Sequence, residues 1–367
     1  MAETLSPESF DIVVIGAGPA GSSAARAAAS RGTRVLVIDR RQRIGVPVQC
    51  AEYVPRGISR AVDFSSSSVV QEVETMITHL PDGSSHEMRS PGFMLDRSCF
   101  DQELAEAALR AGARIATGSR GIRLGPGGVV IERHREQKVV RSKVIIGADG
   151  SRSSVGRWVS QRPSKEIVGL QYEIVNPDAR SDVDVFFHPD YEGGYAWFFP
   201  KGKTANVGIG VASSKASALP TLLNHFLGLL RNLGKVVTLQ IVRKTAGAIP
   251  CSVPSRTVFG NILLAGDAAG HAHPITGAGI LNAVIGGEMA GRIAAEAILS
   301  ENLGHLESYE DKWRETFGAS LSYGASKRDF LESRWKEPHL DFEALVRKTW
   351  VGFKEYYEGR RSSSSGG

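Results

Sequence analysis

Short apolar runs separated by glycine-rich turns open the chain and predict a β-α-β unit. Residues 11–15 (DIVVI) are continuously apolar and mostly β-branched, which is typical of a strand buried on both faces. The alanine-rich segment SSAARAAASRG follows and predicts a helix that ends at Gly32. Residues 33–38 (TRVLVI) then predict a second strand, which ends at Asp39.

The regular alternation stops after this unit. Residues 40–62 contain several glycines and prolines and are predicted to be irregular. Residues 69–79 and 85–90 flank a Pro-Asp-Gly turn and predict a hairpin, and residues 96–111 carry apolar side chains at helical spacing. Further short strands are predicted within 113–146, 166–211 and 235–249.

The chain then returns to the first domain, because residues 261–265 (NILLA) predict another buried strand. A long helix of small residues is predicted from Gly277 to Leu299. We therefore expect an α/β fold in which a largely antiparallel β-sheet domain is inserted into the first domain. The expected segments are 10–66, 95–160 and 255–300 for the first domain, 67–94 and 161–254 for the inserted domain, 301–360 for a C-terminal helical segment and 361–367 for a disordered tail.

A Gly-x-Gly-x-x-Gly motif occupies the first turn. Gly16 would form the tight turn, Gly18 would let the backbone approach a pyrophosphate, and Gly21 would let the helix pack on the strand. The first helical turn, which contains Ala20, would direct N–H groups and a positive dipole end at phosphates. Asp39 follows Gly16 by 23 residues and would accept hydrogen bonds from ribose hydroxyls. Together these positions predict a Rossmann-like dinucleotide-binding domain.

Composition narrows the class of protein. The 367 residues are 42% hydrophobic and 23% charged, which is typical of a folded globular chain, and the net charge is +5. We expect this charge to be evenly spread, and no basic run is interleaved with aromatics, so nucleic acid is not an expected partner. No apolar run is long enough to span a bilayer, and the N-terminus lacks a signal-peptide pattern. Three cysteines without a C-x-x-C pair fit a reducing compartment, so we expect a cytoplasmic location.

Three motifs together resemble the FAD-dependent oxidoreductases of the para-hydroxybenzoate hydroxylase fold. The first is GAGPAG at 16–21 together with Asp39. The other two are GADGSRSSVGR at 147–157 and LLAGDAAGHAHPITGAGI at 263–280. Within that group the chain is most similar to the geranylgeranyl reductase family, which includes archaeal digeranylgeranylglycerophospholipid reductases. The finer resemblance depends on QCAE at 49–52, on YAWFFPK at 195–201 running into NVGIG, and on PITGAGI at 274–280. It implies bound FAD.

The resemblance also implies roles for single residues. Asp267 closes a buried strand, where a carboxylate is costly unless it is hydrogen-bonded, and a ribityl hydroxyl of FAD would be its partner. Backbone N–H groups of Gly279 and Ile280 would stabilise negative charge on the reduced flavin. Cys50 would lie against the flavin ring and shape or polarise its surroundings. The other FAD-side positions that the resemblance implies are Ala51, Arg97, Gly121 and Asp149.

Several of these positions keep a second interpretation. Cys50 and Glu52 are the candidate catalytic residues, but Cys50 is otherwise a small buried hydrophobe and Glu52 is either a proton relay or an ordinary surface acid. Arg97 is otherwise a solvated surface residue. Asp149 is otherwise the cap of the helix that follows it.

An aromatic stripe and a histidine pair also have two interpretations each. Three aromatic residues alternate along a predicted strand: Tyr195, Trp197 and Phe199. They are either core residues or the lining of an apolar substrate tunnel. His271 and His273 are separated by one residue but have no cluster of other ligand types nearby, so loop packing is favoured and no metal site is expected.

The function that the resemblance implies is the reduction of C=C bonds in an isoprenoid chain, or in another apolar small molecule, by hydride from reduced FAD with proton delivery. The alternative is a monooxygenase or halogenase of the same fold that acts on an aromatic substrate. Tyr195 and Phe199 replace the first Trp and the Ile of the halogenase W-x-W-x-I-P pattern, which disfavours a halogenase. A non-catalytic flavin-binding protein is a third class. The reductant is NAD(P)H or a small electron carrier, since no second Gly-x-Gly-x-x-Gly motif occurs.

The C-terminal segment carries an apolar stripe rich in aromatics. After Pro338, apolar side chains recur at three- and four-residue spacing and predict one amphipathic helix. The stripe comprises Phe342, Leu345, Val346, Trp350, Phe353 and Tyr357. The helix either packs on the body of the protein or makes peripheral contact with an anionic membrane surface, for which the basic residues would be Arg347, Lys348, Lys354, Arg360 and Arg361.

Overall fold

The structure, a computed structural model, describes residues 9–161, 165–178 and 180–358. Within them the chain forms two eight-stranded sheets and ten α-helices. The strands are β1 (Ser9–Ile15), β2 (Val35–Asp39), β3 (Tyr53–Pro55), β4 (Val69–His79), β5 (Ser85–Leu95), β6 (Arg114–Thr117), β7 (Ser119–Gly125), β8 (Gly128–Arg133), β9 (Glu136–Gly147), β10 (Glu166–Val175), β11 (Asp182–Phe186), β12 (Tyr195–Lys201), β13 (Thr204–Ala212), β14 (Ile241–Pro250), β15 (Val258–Phe259) and β16 (Ile262–Leu264). The helices are α1 (Pro19–Ala29), α2 (Ile58–Ala61), α3 (Arg97–Arg110), α4 (Ser154–Trp158), α5 (Leu219–Asn232), α6 (Ile280–Leu299), α7 (Ser308–Trp313), α8 (Ala319–Arg334), α9 (Phe342–Thr349) and α10 (Lys354–Tyr357).

The first sheet has the order β15-β16-β9-β1-β2-β6, with β7 and β8 joined to β9 as an antiparallel meander. Strands β16, β9, β1, β2 and β6 are parallel. Gly147 pairs with both Ile15 and Leu264, and Ile15 pairs with Ile38. The carboxyl ends of four strands therefore meet at one edge, which is where the glycine motif, Asp39, Asp149 and Asp267 follow. The Rossmann-like prediction is confirmed.

Helices α1 and α6 cover this sheet at a distance that only small residues permit. A Cβ on Gly287 would lie 2.1 Å from the carbonyl oxygen of Ala20, and a Cβ on Gly291 would lie 2.0 Å from that of Ala24. The alanine-rich and glycine-rich sequences of the two helices are therefore a packing requirement. This close contact fixes the N-terminus of α6 beside the glycine turn.

The second sheet has the order β14-β10-β13-β12-β11-β4-β5-β3 and is antiparallel except between β4 and β11. Helix α5 covers one face, where Phe226 packs with Phe198 and Val207. Residues 40–62 are more ordered than the sequence predicts, because they contain β3 and α2. Strand β3 pairs with β5 in the second sheet, although the sequence places residues 10–66 in the first domain. Strand β5 pairs with β4 on one side, and β3 occupies its other edge.

The prediction of one C-terminal helix is wrong. Helix α9 ends at Thr349, Trp350 adopts an extended conformation, and α10 begins only at Lys354. This break turns Trp350, Phe353 and Tyr356 into one buried cluster, whereas Tyr357, the predicted end of the stripe, is exposed.

The interpretation of the stripe as a membrane anchor is also wrong, because all of its side chains except Tyr357 are buried against the protein. Trp350 donates a hydrogen bond from its indole N–H to Thr78 Oγ1 over 3.0 Å, on the second sheet. Arg360, Arg361 and the predicted tail at 361–367 lie outside the described residues. In the described parts of the chain, no helix combines the length and the apolar character needed to cross a bilayer.

Candidate active site

The three motif glycines serve different purposes. Gly16 has φ +102°, and a Cβ there would lie 2.3 Å from the carbonyl oxygen of Ala148. A Cβ on Gly21 would lie 1.8 Å from the carbonyl oxygen of Gly16. Gly18 caps α1, and no atom of the described residues lies within 4 Å of a Cβ placed on it. Two glycines are thus required by packing, and the third leaves an open cradle in front of the N–H groups of α1.

Asp39 ties the end of β2 to the glycine turn. Its Oδ2 accepts a hydrogen bond from the Ala17 N–H over 2.8 Å, and its Oδ1 accepts one from the Arg41 N–H over 2.8 Å. A carboxylate has about four acceptor positions, so two remain for hydroxyl groups. The position suits the ribose of a dinucleotide.

Asp267 lies beside the N-terminus of α6. A Cβ on Gly279, the cap of that helix, would lie 3.2 Å from Asp267 Oδ1. None of the described residues donates a hydrogen bond to this carboxylate, and burial raises its pKa, partly offset by the charge of Arg97. A partly buried carboxylate without a donor fits a site that receives a hydroxyl group from a ligand.

These observations fit FAD. The cradle at Gly18, with Ala20 and Gly21 behind it, would hold the pyrophosphate, and Asp39 would hold the ribose. Asp267 would hold a ribityl hydroxyl, and the N–H groups at Gly279 and Ile280 would face the flavin.

The Cys50–Glu52 loop is held by side chains of the second sheet. Gln171 Nε2 donates to the carbonyl oxygen of Cys50 over 3.0 Å, and Asn206 Nδ2 donates to that of Ala51 over 3.1 Å. The Glu52 N–H donates to Cys50 Sγ over 3.2 Å. Burial raises the pKa of the Cys50 thiol, so the sulfur keeps its proton at neutral pH.

Glu52 is fully buried, so its interpretation as a surface acid is wrong. Its backbone has φ +71°, which is strained for a residue with a side chain. Its Oε2 accepts hydrogen bonds from Lys201 Nζ over 2.7 Å and from Asn206 Nδ2 over 2.9 Å, and its Oε1 accepts one from the Arg97 N–H over 3.1 Å. The carboxylate is thus occupied with holding the loop, which favours a positioning role over proton relay.

Arg97 is not a solvated surface residue, because its guanidinium is largely buried and bonds Asp101 over 2.9 and 3.1 Å. Its charge acts on both Cys50 and Asp267. Asp149 caps α4 by accepting hydrogen bonds from the Ser153 hydroxyl and from the Ser154 N–H, each over 2.5 Å.

Gly121 lies within β7, and its place by the adenine stays a prediction. A Cβ at this position would lie 3.1 Å from the ring of Trp158 and 3.2 Å from Ile15. The glycine is therefore explained by packing of the meander against the end of β1.

The aromatic stripe of β12 contacts both loops. Tyr195 donates from its hydroxyl to the carbonyl oxygen of Thr276 over 2.5 Å, before α6. Trp197 donates from its indole to Gln171 Oε1 over 2.9 Å, and Gln171 bonds the Cys50 loop. Phe199 packs edge-to-face with Tyr53 at 6.2 Å between ring centroids. One face of one strand thus joins the Cys50 loop to the loop that precedes α6.

The histidine pair serves packing. The His271 ring is buried against Trp313 and Phe317, neither of its nitrogens bonds a described residue, and burial lowers its pKa to about 3. His273 Nδ1 accepts from the N–H groups of Ile275 and Thr276 over 3.3 Å and shapes the turn before α6. Among the described residues, no three His, Cys, Asp or Glu side chains are grouped as metal ligands.

Two protein-family models match parts of this chain. The geranylgeranyl reductase catalytic domain matches residues 166–249, and the FAD dependent oxidoreductase family matches residues 11–151. Digeranylgeranylglycerophospholipid reductase 2 of Methanopyrus kandleri is 36% identical over 92% of this chain and 91% of its own length. Digeranylgeranylglycerophospholipid reductase 1 of the same organism is 38% identical over 92% and 93%.

The chain belongs to the geranylgeranyl reductase family. It is an FAD-dependent oxidoreductase. A solved structure of similar architecture, a geranylgeranyl bacteriochlorophyll reductase-like protein of Thermoplasma acidophilum, superimposes with a TM-score of 0.82 at 29% identity, over 94% of this chain and 97% of that one. The myxobacterial chondrochloren halogenase superimposes with a TM-score of 0.72 at 19% identity, over 92% and 88%, which shows the shared fold alone.

Sequence reasoning missed several residues that hold this reductase's two loops. Lys201 lies in the YAWFFPK motif, but the sequence analysis predicts no role for it, although the alternation along β12 places it on the same face as Tyr195 and Trp197. Arg328, in α8, is buried and donates to the carbonyl oxygen of Pro274 over 2.7 and 3.0 Å. Because the partner of Arg328 is a distant backbone atom, no sequence pattern indicates it.

We expect Gly18→Val to yield a folded protein without FAD. The side chain would fill the cradle in front of α1 and exclude the pyrophosphate. Flavin absorbance of the purified protein measures the loss. Gly228→Val is the matched control, because Gly228 also has no described atom within 4 Å of a Cβ placed on it, but lies in α5, away from the cradle. A Gly18→Val protein with a full complement of FAD would disprove the assignment of the cradle.

Proposed function

We propose that this reductase saturates C=C bonds in the isoprenoid chains of a lipid. The observation that supports the substrate class is the aromatic face of β12, where Tyr195, Trp197 and Phe199 join the two loops that would border the flavin. An isoprenoid chain has only apolar surface to offer, and a wall of aromatic rings is suited to it. The names of the relatives point to the same substrate class.

Bound FAD would supply the hydride. The protein would position the substrate, exclude water from the site and hold a protonated group close to the flavin. The Cys50 thiol keeps its proton because burial raises its pKa, and the Glu52 N–H fixes the direction of its sulfur. Trp197 is held flat over the second sheet because Gly208 leaves it room, since a Cβ there would lie 2.3 Å from the indole. We assign Cys50 to the reacting face and Glu52 to positioning.

The reductant that we propose is NAD(P)H or a small electron carrier. The described residues form one Rossmann-like sheet, whose carboxyl edge is used by the FAD-side residues. A transient encounter at the flavin therefore suits this chain better than a second nucleotide-binding domain.

Anaerobic reduction of the bound flavin, followed by addition of a geranylgeranyl lipid, tests the function. We expect the lipid to reoxidise the flavin, and mass spectrometry to show two added hydrogens for each bond reduced. Oxygen with an aromatic compound is the parallel reaction. If the lipid leaves the flavin reduced while oxygen gives a hydroxylated or halogenated aromatic, the alternative function is correct.

A lipid substrate of this kind lies in a membrane, so we propose that the reductase contacts the membrane surface peripherally. The C-terminal stripe at 342–357 does not suit that contact, because all of its side chains except Tyr357 are buried. A different exposed surface of the protein would therefore have to contact the membrane.

A further inference from the structure

We propose that the end of the second sheet formed by the C-terminus of α5, the start of β14 and the end of β10 is the surface that docks on an anionic membrane. Six large apolar side chains are exposed there, between 39% and 84% of their surface. They form what we name the α5–β14 patch: Val175, Leu229, Leu233, Val237, Ile241 and Val242. This inference rests on the proposed function, since it names where a lipid reductase would meet its lipid.

The patch is continuous in the fold. Leu229 and Leu233 are one helical turn apart at the end of α5, and the loop with Val237 leads directly into β14. The Val175 N–H bonds the carbonyl oxygen of Gln240 over 2.9 Å, which places the end of β10 beside Ile241. Exposed apolar side chains on neighbouring segments are typical of a place where a protein meets an apolar partner.

Charge identifies the partner. Residues 193–266 contain eight Lys and Arg and no Asp or Glu, whereas the whole chain has a net charge of only +5. Along the sequence, cations are thus concentrated in the stretch that includes α5 and β14, contrary to the even spread expected from composition. Five of the eight cations are paired with acids. Lys201, Lys235 and Arg243 pair with Glu52, Asp184 and Glu173. Lys215 pairs with Glu192, and Arg256 pairs with Glu307.

Three cations at the rim of the patch keep their charge for an external partner. Lys203, Arg231 and Lys244 are exposed and form no ion pair with any residue that the structure describes. Lys203 is placed beside the patch, because its carbonyl oxygen accepts a hydrogen bond from the Asn176 N–H over 2.9 Å. Asp178 is the exposed acid on the same turn. Apolar side chains surrounded by cations match the acyl boundary and the anionic headgroups of a bilayer.

Vesicle sedimentation tests the surface. The holoenzyme should bind vesicles of phosphatidylglycerol with phosphatidylcholine and should bind pure phosphatidylcholine far less. Replacing the three rim cations together (Lys203→Gln, Arg231→Gln, Lys244→Gln) should weaken binding about a hundredfold, since each surface cation contributes about a factor of five. Val237→Asp with Val242→Asp should abolish it. Leu109→Asp is the matched control, because Leu109 is 50% exposed but lies on α3, next to the first sheet.

Activity on two forms of the substrate separates this inference from the proposed function. Detergent-dispersed geranylgeranyl lipid should be reduced equally by the wild type and all variants, whereas the patch variants should lose turnover on vesicle-embedded lipid. If wild type does not reduce the dispersed lipid, the proposed function is wrong and the vesicle-binding result still stands. Equal vesicle binding by wild type and variants would overturn the docking surface. So would a dimer in sedimentation velocity that Val237→Asp dissociates, because the patch would then be an interface between two copies.

Discussion

Truncation after Lys336 should unfold the reductase. The removed segment contains six buried apolar side chains, and burial of each contributes about 1.5–3 kcal/mol. Their sum is comparable with the whole stability of a typical domain, which is about 5–15 kcal/mol. The six are Phe342, Leu345, Val346, Trp350, Phe353 and Tyr356.

The damage would reach the candidate site directly. Trp350 packs against Tyr195 and Phe187 with ring centroids 5.0 and 5.1 Å apart, and Phe353 stacks on His86 at 4.7 Å. Without Trp350, the ring of Tyr195 loses its neighbour, and the hydrogen bond from Tyr195 to the loop before α6 becomes more accessible to water. We therefore expect flavin content to fall together with the unfolding temperature.

Thermal unfolding and flavin absorbance of two truncated proteins measure this effect. The control ends at Glu358 and retains every contact just described. Trp350→Ala is a milder test, for which a loss of about 3–5 kcal/mol is expected from the cavity and the lost packing. A chain ending at Lys336 that unfolds at the wild-type temperature with full flavin would show that the segment is dispensable, and would contradict the burial argument.

The first domain could be predicted from sequence because its signals are local. The glycine turn, Asp39 and Asp267 each follow an apolar strand directly, and parallel strands bring their carboxyl ends to one edge. The resemblance to the family added Cys50 and the start of α6.

The long-range contacts that hold the Cys50–Glu52 loop in place could not be predicted in the same way. Lys201 and Glu52 are 149 residues apart, and only the register of the second sheet brings them together. The C-terminal segment shows a different limit. Helical spacing across residues 342–357 predicts one helix. Burial of Trp350 and Phe353 instead requires a break at Trp350. Tertiary packing therefore overrides the local periodicity.

Lys201→Met should destabilise the Cys50–Glu52 loop and leave the FAD cradle intact. Lys201 Nζ lies 2.7 Å from Glu52 Oε2, with both side chains buried. Removing one partner of a buried ion pair costs about 3–5 kcal/mol. We expect the lower end of this range, because Arg243 Nη2 would remain 3.9 Å from Glu52 Oε2. Urea unfolding should show a loss of that size. Lys203→Met is the matched control, because Lys203 is two residues further along and exposed, and it should leave stability unchanged.

A readout at the thiol distinguishes loop positioning from general stability. The strained φ of Glu52 holds its N–H on Cys50 Sγ, and release of the loop would free that sulfur. In the folded Lys201→Met holoenzyme we expect Cys50 to be alkylated at least about fivefold faster than in the wild type, as about 1 kcal/mol of lost protection implies. Cys99 is the internal reference, since it is similarly exposed and lies on α3.

The double variant Glu52→Gln with Lys201→Met covers the case in which Lys201→Met alone does not fold. Replacing both partners of a buried pair by neutral groups of similar size is often nearly neutral in stability. The glutamine side chain introduced at this position could still accept a hydrogen bond from Asn206, so folding should be restored, but the loop would have lost its bond to β12. Cys50 should then remain more reactive than in the wild type. Wild-type reactivity of Cys50 relative to Cys99 in either variant would mean that the ion pair stabilises the sheet without positioning the thiol.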